Sequence, residues 1–221
     1  ESKGYIVNHS PMKDMFVGIR LIPEDPKERE ALLNNIKIYP YSERKSPNSK
    51  GFVRPTKPWF AYQPRTMAYW ETIHESLNRQ PVREVDRYFV AMLKELGIEK
   101  GKPFKPNDHQ KKILMDALTV GEAMAKANDF SKRLEKAHYR DNSHWHFSTT
   151  ANSTQRTEFY QLLDGAAAGF YEAVTYDEAM HGQETGWGQV YMAAYKDEDG
   201  NWLDGAQSYT IRIPANPPAK E

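Results

Sequence analysis

The sequence contains no cysteine. That removes disulfides, thiol nucleophiles and cysteine-ligated metals together, and leaves the compartment open. Nor is there an excess of either charge: 30 Lys and Arg stand against 30 Asp and Glu, with an isoelectric point near 7.3. Without a basic stripe nothing steers a phosphate backbone, so nucleic acid is not an expected partner. Apolar runs such as "AAAGF" fall far short of the roughly 20 residues that a membrane helix needs, so no membrane insertion is expected. The first residue is Glu1 and not Met, with no charged-then-apolar leader after it; the expectation is that a front portion of the protein is missing. Against these absences stand five Trp, 13 Tyr and nine Phe. They require a packed interior in spite of a mean hydropathy of −0.81.

Periodicity changes along the chain. "MFVGIRLIP" (Met15 to Pro23) reads as a strand. Asp25-Pro26-Lys27-Glu28 supplies a helix start, with an Asp cap, Pro at the first helical position and an acid three residues after the cap. Ala31, Leu32 and Leu33 are its expected buried side. In "NIKIYPY" Ile36 and Ile38 share a face opposite Lys37, which predicts a second strand that Pro40 keeps short or at an edge. Ser42 to Pro58 is rich in Ser, Pro, Lys and Gly and reads as a linker. Trp70, Ile73 and Leu77 repeat at helical spacing until Pro81; Val85, Phe89, Met92 and Leu96 mark another helix, which Gly97 stops. "KGKPFKP" is a rigid turn. Asp108 is the expected cap of a long helix carrying Ile113, Leu114, Ala117, Leu118, Val120 and Met124. Phe159, Leu162, Leu163, Ala166 and Phe170 predict a further helix from about Thr154 to Ala173. These stripes read as core. Finally "QVYMAAY" and "SYTIRIP" alternate, with Tyr209, Ile211 and Ile213 on one face and Thr210 and Arg212 on the other.

Between those last two runs lies "KDEDGNWLDG". As a calcium loop it fails: with Gly200 at position six, Tyr195 occupies position one and Ala206 position twelve, where an acid and a bidentate Glu are needed. Asp199-Gly200 between two alternating runs predicts a hairpin loop.

The same stretch resembles the signature of a group of mostly bacterial, usually exported proteins that pair two domain families of unknown function, numbered twelve-fifty-four and twelve-fourteen. Asp199, Gly200, Leu203, Gly205, Tyr209, Pro214, Pro217 and Pro218 sit on its positions. "GIRLIPEDPKEREALLNNIKIYPYSE" resembles the closing strand-helix-strand of the first family, and "LGIEKGKPFKP" a turn between helices at the start of the second. The resemblance implies a β-sandwich, then a helical segment, then a jelly-roll-like sheet. It also implies a periplasmic or secreted location. The chain stops before the signature's "FWS" strand, so an internal piece of a longer protein is expected, whose partners are the remaining parts upstream of Gly4 and downstream of Glu221, or a second copy. No cofactor is implied.

The richest polar stretch is "AHYRDNSHWHFSTT". On an extended backbone His144 and His146 project from one face, with Trp145 opposite, and two imidazoles so placed can bind a metal with His138 or Asp141 as further ligands. The bland alternative is that these groups are solvated or structurally hydrogen-bonded. No G-x-S-x-G elbow exists, and Ser10, Ser143 and Ser148 neighbour histidines only in sequence. Among the aromatic residues that follow the linker, Trp59, Tyr62 and Trp70 are candidate ligand contacts for a sugar or ring, against a packing role. The expected architecture is α+β: a sandwich remnant with linker over 1–58, a helical block over 59–175, and opening strands of a jelly-roll over 176–221. Two functions remain open, a non-catalytic or ligand-binding envelope module and a hydrolase of an ester or glycan with or without a metal; fold alone does not choose between them.

Overall fold

The computed structural model describes residues 4, 6–15, 17, 19, 21–49, 56, 63–131, 137–141, 143–147, 156–172, 192–213 and 215. Among them are five α-helices and one two-stranded sheet, a mixed α+β chain. Two units separate: Glu1–Gln63 with Tyr69–Pro106, and Pro64–Ala68 with Asn107–Glu221.

In the first unit, helix α1 spans Pro26–Asn35. It starts as its sequence requires: the Asp25 carboxylate accepts from the Lys27 backbone N–H at 3.0 Å, and Pro26 stands where its missing N–H has no bond to lose. No residue of α1 is buried, so Ala31, Leu32 and Leu33 do not form a covered side. The flanking stretches differ from expectation too. Met15, Val17, Ile19, Leu21–Pro23 and Ile36–Tyr39 belong to no strand; Phe16, Gly18 and Arg20 lie outside the described residues. Alternation gives a segment two faces, but a strand also needs a ladder partner.

Helix α2, Met67–Arg79, carries Trp70, Ile73 and Leu77 half-buried on one face, as the spacing predicts. Its C-terminus is held from outside. The Lys100 ammonium donates to the carbonyls of Leu77, Asn78 (3.0 Å) and Gln80 (2.6 Å), a cation on the negative end of a helix. The buried Gln80 amide accepts from the Lys13 N–H at 2.8 Å and donates to Asp14 at 2.6 Å. Arg79 also pairs with Asp14 at 2.6 Å.

Helix α3, Arg87–Glu95, ends in a Schellman motif. Ile98 N–H donates to Leu93 C=O (3.1 Å) and Gly97 N–H to Lys94 C=O (3.0 Å), with Gly97 at φ 81° and Ile98 fully buried beside it. Gly97 is thus the stop its sequence announces. The face of α3 is misread by periodicity, however. Val85, Phe89 and Met92 are exposed, and the half-buried positions are Val90, Leu93 and Leu96. The unbroken apolar run from Tyr88 to Leu93 leaves the inward side undetermined by spacing until packing selects it.

In the second unit, α4 runs Asp108–Ser131. Its cap is Asn107, not Asp108: Asn107 and Gln110 exchange side-chain bonds to each other's N–H at 2.8 and 2.9 Å, a capping box. Leu114 is fully buried, while Ile113, Val120 and Met124 are exposed. Helix α5, Leu163–Glu172, packs on α4. Its buried positions are Gly165, Ala168 and Gly169, spaced three and four apart on one face, where the lack of bulk lets the axes approach. The helix does not begin near Thr154, which itself lies outside the described residues, as does Ala173. The Thr157 hydroxyl accepts from the N–H groups of Phe159 (3.2 Å) and Tyr160 (3.1 Å). That local turn competes with helix and leaves Phe159 84% exposed.

Strand β1 (Trp145–Phe147) pairs antiparallel with β2 (Met192–Ala194), Trp145 opposite Ala194 and His146 opposite Ala193. Its other edge meets His138: Phe147 N–H donates to Ala137 C=O at 2.8 Å and Tyr139 N–H to Trp145 C=O at 3.0 Å. Beyond β2, Lys196 bridges Trp202 across a turn closed by Gly200 N–H donating to Asp197 C=O (3.1 Å). Gly200 sits at φ 85°, the left-handed conformation that ends such loops. The acidic run is therefore a hairpin loop. Gln189 to Tyr191 and Pro214 lie outside the described residues, and Ser208–Ile213 belongs to no strand.

Candidate functional site

The second unit gathers its chemically capable side chains at the end of α4. Asp129 lies on the same side of α4 as Leu118 and Ala125, eleven and four residues earlier, so the helix carries a carboxylate inward. The Tyr195 hydroxyl, just past β2, donates to Asp129 Oδ2 at 3.0 Å. The Tyr195 ring meets Phe130 (centroids 4.6 Å apart) and His146 (4.9 Å). Phe130 touches Tyr171 of α5 and Trp202 of the hairpin, at 6.2 and 6.1 Å. Lys126 lies over the Phe130 ring and Lys196 over that of Trp202, at 5.4 and 4.9 Å.

The histidines arrive by the sheet. His146, at the centre of β1, brings Nδ1 to 3.3 Å from the His144 carbonyl oxygen, and His138 brings Nδ1 to 3.2 Å from that of Ser143. A carbonyl only accepts, so both Nδ1 atoms carry the proton. The two rings are 6.4 Å apart. His144 is exposed and lies against Gly200, where an added Cβ would come within 3.9 Å of its ring. Asp141 is an exposed turn residue. Among the described residues no three His, Asp or Glu side chains gather to hold a metal, so His138, Asp141, His144 and His146 form no ligand set there. Instead, local carbonyls engage Nδ1 of two of the rings, and the hairpin takes the third.

A hydroxyl on a carboxylate beside an imidazole is a set able to move protons. Of its members Asp129 is 1% exposed and His146 4%, while Tyr195 is half-buried. The geometry serves as a joint that fastens α4 to the residue after β2, with the Asp129–Tyr195 hydrogen bond set among aromatic rings.

Trp59 and Tyr62 lie outside the described residues. Trp70 is half-buried in α2 and meets Tyr69 edge-on at 5.2 Å. Burial raises the Tyr69 phenol above its ordinary pKa. Sequence reasoning missed Asp129, Phe130 and Tyr195. No motif or spacing in the sequence marked them: Asp129 lies in line with Leu118 and Ala125, but also with the charged Lys111 and Glu122.

No curated protein matches the chain. Residues 188–221 match the family described as Protein of unknown function (DUF1214). That span holds Tyr195, Trp202 and the hairpin, whereas the resemblance of the earlier stretches to the first of the two families rests on their own residues. Over its last 34 positions, 188 to 221, the chain is similar to that family of unknown function.

Proposed function

We propose that this chain is a non-catalytic docking module of an exported protein, and not a hydrolase. The observation that carries the reading is the burial of the carboxylate and imidazole in the proton-moving cluster found among the described residues, with Asp129 and His146 at 1% and 4% exposure. What the chain offers to solvent instead is apolar: Met15, Ile19 and Ile22 in the first unit, Tyr209, Ile211 and Ile213 in the second. On this reading the sandwich and jelly-roll that the resemblance implies are larger assemblies to which these segments contribute, and further parts of the same protein cover Met15–Ile22. Any small ligand is taken up by Trp59, Tyr62 and Trp70. Export is proposed on the resemblance alone and is tested by cell fractionation.

The test of the functional reading is turnover. Chromogenic esters and glycosides are offered to the chain and to its Tyr195→Phe and His146→Gln variants. The expected result is no hydrolysis above the blank in all three. A rate in the parent that either variant abolishes would replace this reading with the hydrolase.

A further inference from the structure

The joint at the end of α4 does one thing that burial does not forbid. A substrate must touch the groups that act on it, whereas an electron crosses from ring to ring. A phenol gives up an electron readily only where a base takes its proton, because the phenol radical cation is a very strong acid. Tyr195 has that base in place: its hydroxyl donates to Asp129 Oδ2 at 3.0 Å, within reach of a direct proton transfer. Asp129 is 1% exposed, so its charge sits where charge is costly. Loss of an electron from Tyr195, with the proton passed to Asp129, removes that charge and leaves a neutral phenoxyl beside a neutral carboxylic acid.

Rings connect this pair to the surface. The Tyr195 ring lies 4.6 Å from that of Phe130, and Phe130 lies 6.1 Å from Trp202, centroid to centroid. Trp202 is 58% exposed. The Leu203 N–H donates to the Tyr195 carbonyl at 2.9 Å, which ties the two ring-bearing segments together. An indole gives up an electron where a phenyl ring does not, so Trp202 is the point of entry. Two cations decide where the missing electron comes to rest. Lys196 lies over Trp202 and Lys126 over Phe130, at 4.9 and 5.4 Å, and each disfavours positive charge on the ring beneath it. The carboxylate beside Tyr195 favours it there.

We propose that Trp202 and Tyr195 form a one-electron relay that takes up a small diffusing radical oxidant and comes to rest on Tyr195. This is independent of the docking-module reading. The oxidant takes one electron from the Trp202 indole and is reduced by it. Tyr195 refills the indole with one electron of its own, and its phenolic proton passes to Asp129 Oδ2. One O–H bond breaks at Tyr195 and one forms at Asp129; no other bond changes. A one-electron reductant returns the electron to the phenoxyl, and the proton comes back from Asp129.

The absence of cysteine from the sequence permits a test at a single position. Glu198→Cys, in the exposed part of the hairpin loop, provides one thiol for a tris-bipyridine ruthenium label. A light flash with a cobalt(III) electron acceptor turns that label into the oxidant. In the labelled full chain the broad visible absorption of the indole radical is expected first, giving way to the sharp band of a tyrosyl radical, and more slowly in D2O than in water. Tyr195→Phe abolishes the second signal and prolongs the first. Asp129→Asn, which keeps the shape and removes the proton acceptor, slows the conversion about a hundredfold. Trp202→Phe removes the early signal and delays the late one. Far-UV circular dichroism verifies that each variant folds, and the solvent isotope effect tests the parent without any further substitution. An indole radical that decays with no tyrosyl signal overturns the relay. So does a tyrosyl signal undiminished in Tyr195→Phe, or a rate unchanged by Asp129→Asn or by D2O. Ester and glycoside turnover bears on the docking-module reading alone, so the two fail separately.

Discussion

The two units are held by different means. In the first, α2 and α3 are fixed at their ends: Lys100 on three carbonyls, Gly97 in a Schellman motif, Gln80 between Lys13 and Asp14. Ile98 is the one large side chain there that is wholly buried among the described residues. In the second, α4 and α5 meet along a small-residue face, and α4 is fastened to the sheet through Asp129, Tyr195 and His146. The contrast teaches that backbone termination can fix helix ends with few buried side chains, whereas a mixed helix–sheet unit has to bring distant residues together.

The sharpest way to break this contrast is Leu114→Ala in the second unit. Loss of a fully buried Leu costs about 2–5 kcal/mol, and amide hydrogen exchange should show the loss in α4 and α5 and not in α2. A replacement that leaves α4 protection intact would mean that Leu114 is not what holds it. Tyr195→Phe removes one donor from a buried carboxylate and is expected to cost roughly 1–3 kcal/mol, measured as a fall in the denaturant midpoint. In the first unit Gly97→Ala forces a side chain into the left-handed conformation at about 1–2 kcal/mol. Phe89→Ala, on the exposed side of α3, should cost under about 1 kcal/mol; a core-sized loss would restore the face that periodicity suggested.

The smallest effect concerns pH. Burial holds the Tyr69 proton in the folded chain to higher pH than in the unfolded one. Above about pH 10 the unfolded chain therefore binds fewer protons, and stability falls as pH rises. Alkaline unfolding of Tyr69→Phe should lack that part of the slope; an identical slope would show that Tyr69 is solvated.

Sequence legibility divides by range, local signals against distant contacts, within both units. Asp25-Pro26, Gly97 and Asp199-Gly200 were readable because a cap, a Schellman stop and a loop are decided within about six residues. The capping box was missed by one position, since Asp108 competes with Asn107 for the same role. The inward face of α3 was not readable, because apolar residues lie on both sides and only packing chooses. Ile36 and Ile38 alternate like a strand yet find no ladder. The joint was least legible of all: Asp129 and Tyr195 stand 66 positions apart, and neither carries a motif of its own. The hairpin resemblance pointed to the right neighbourhood without naming a function.

The Lys100 contact has a consequence for the order of folding. The carbonyls it holds lie 20–23 positions upstream, so the end of α2 is secured only once the turn after α3 has formed. Closing a loop of that length is entropically mild. The end of α2 and the turn after α3 are therefore secured together by one contact of short sequence span. The Asp129–Tyr195 joint spans a threefold longer loop, so a chain emerging during synthesis can secure the end of α2 well before Tyr195 is available.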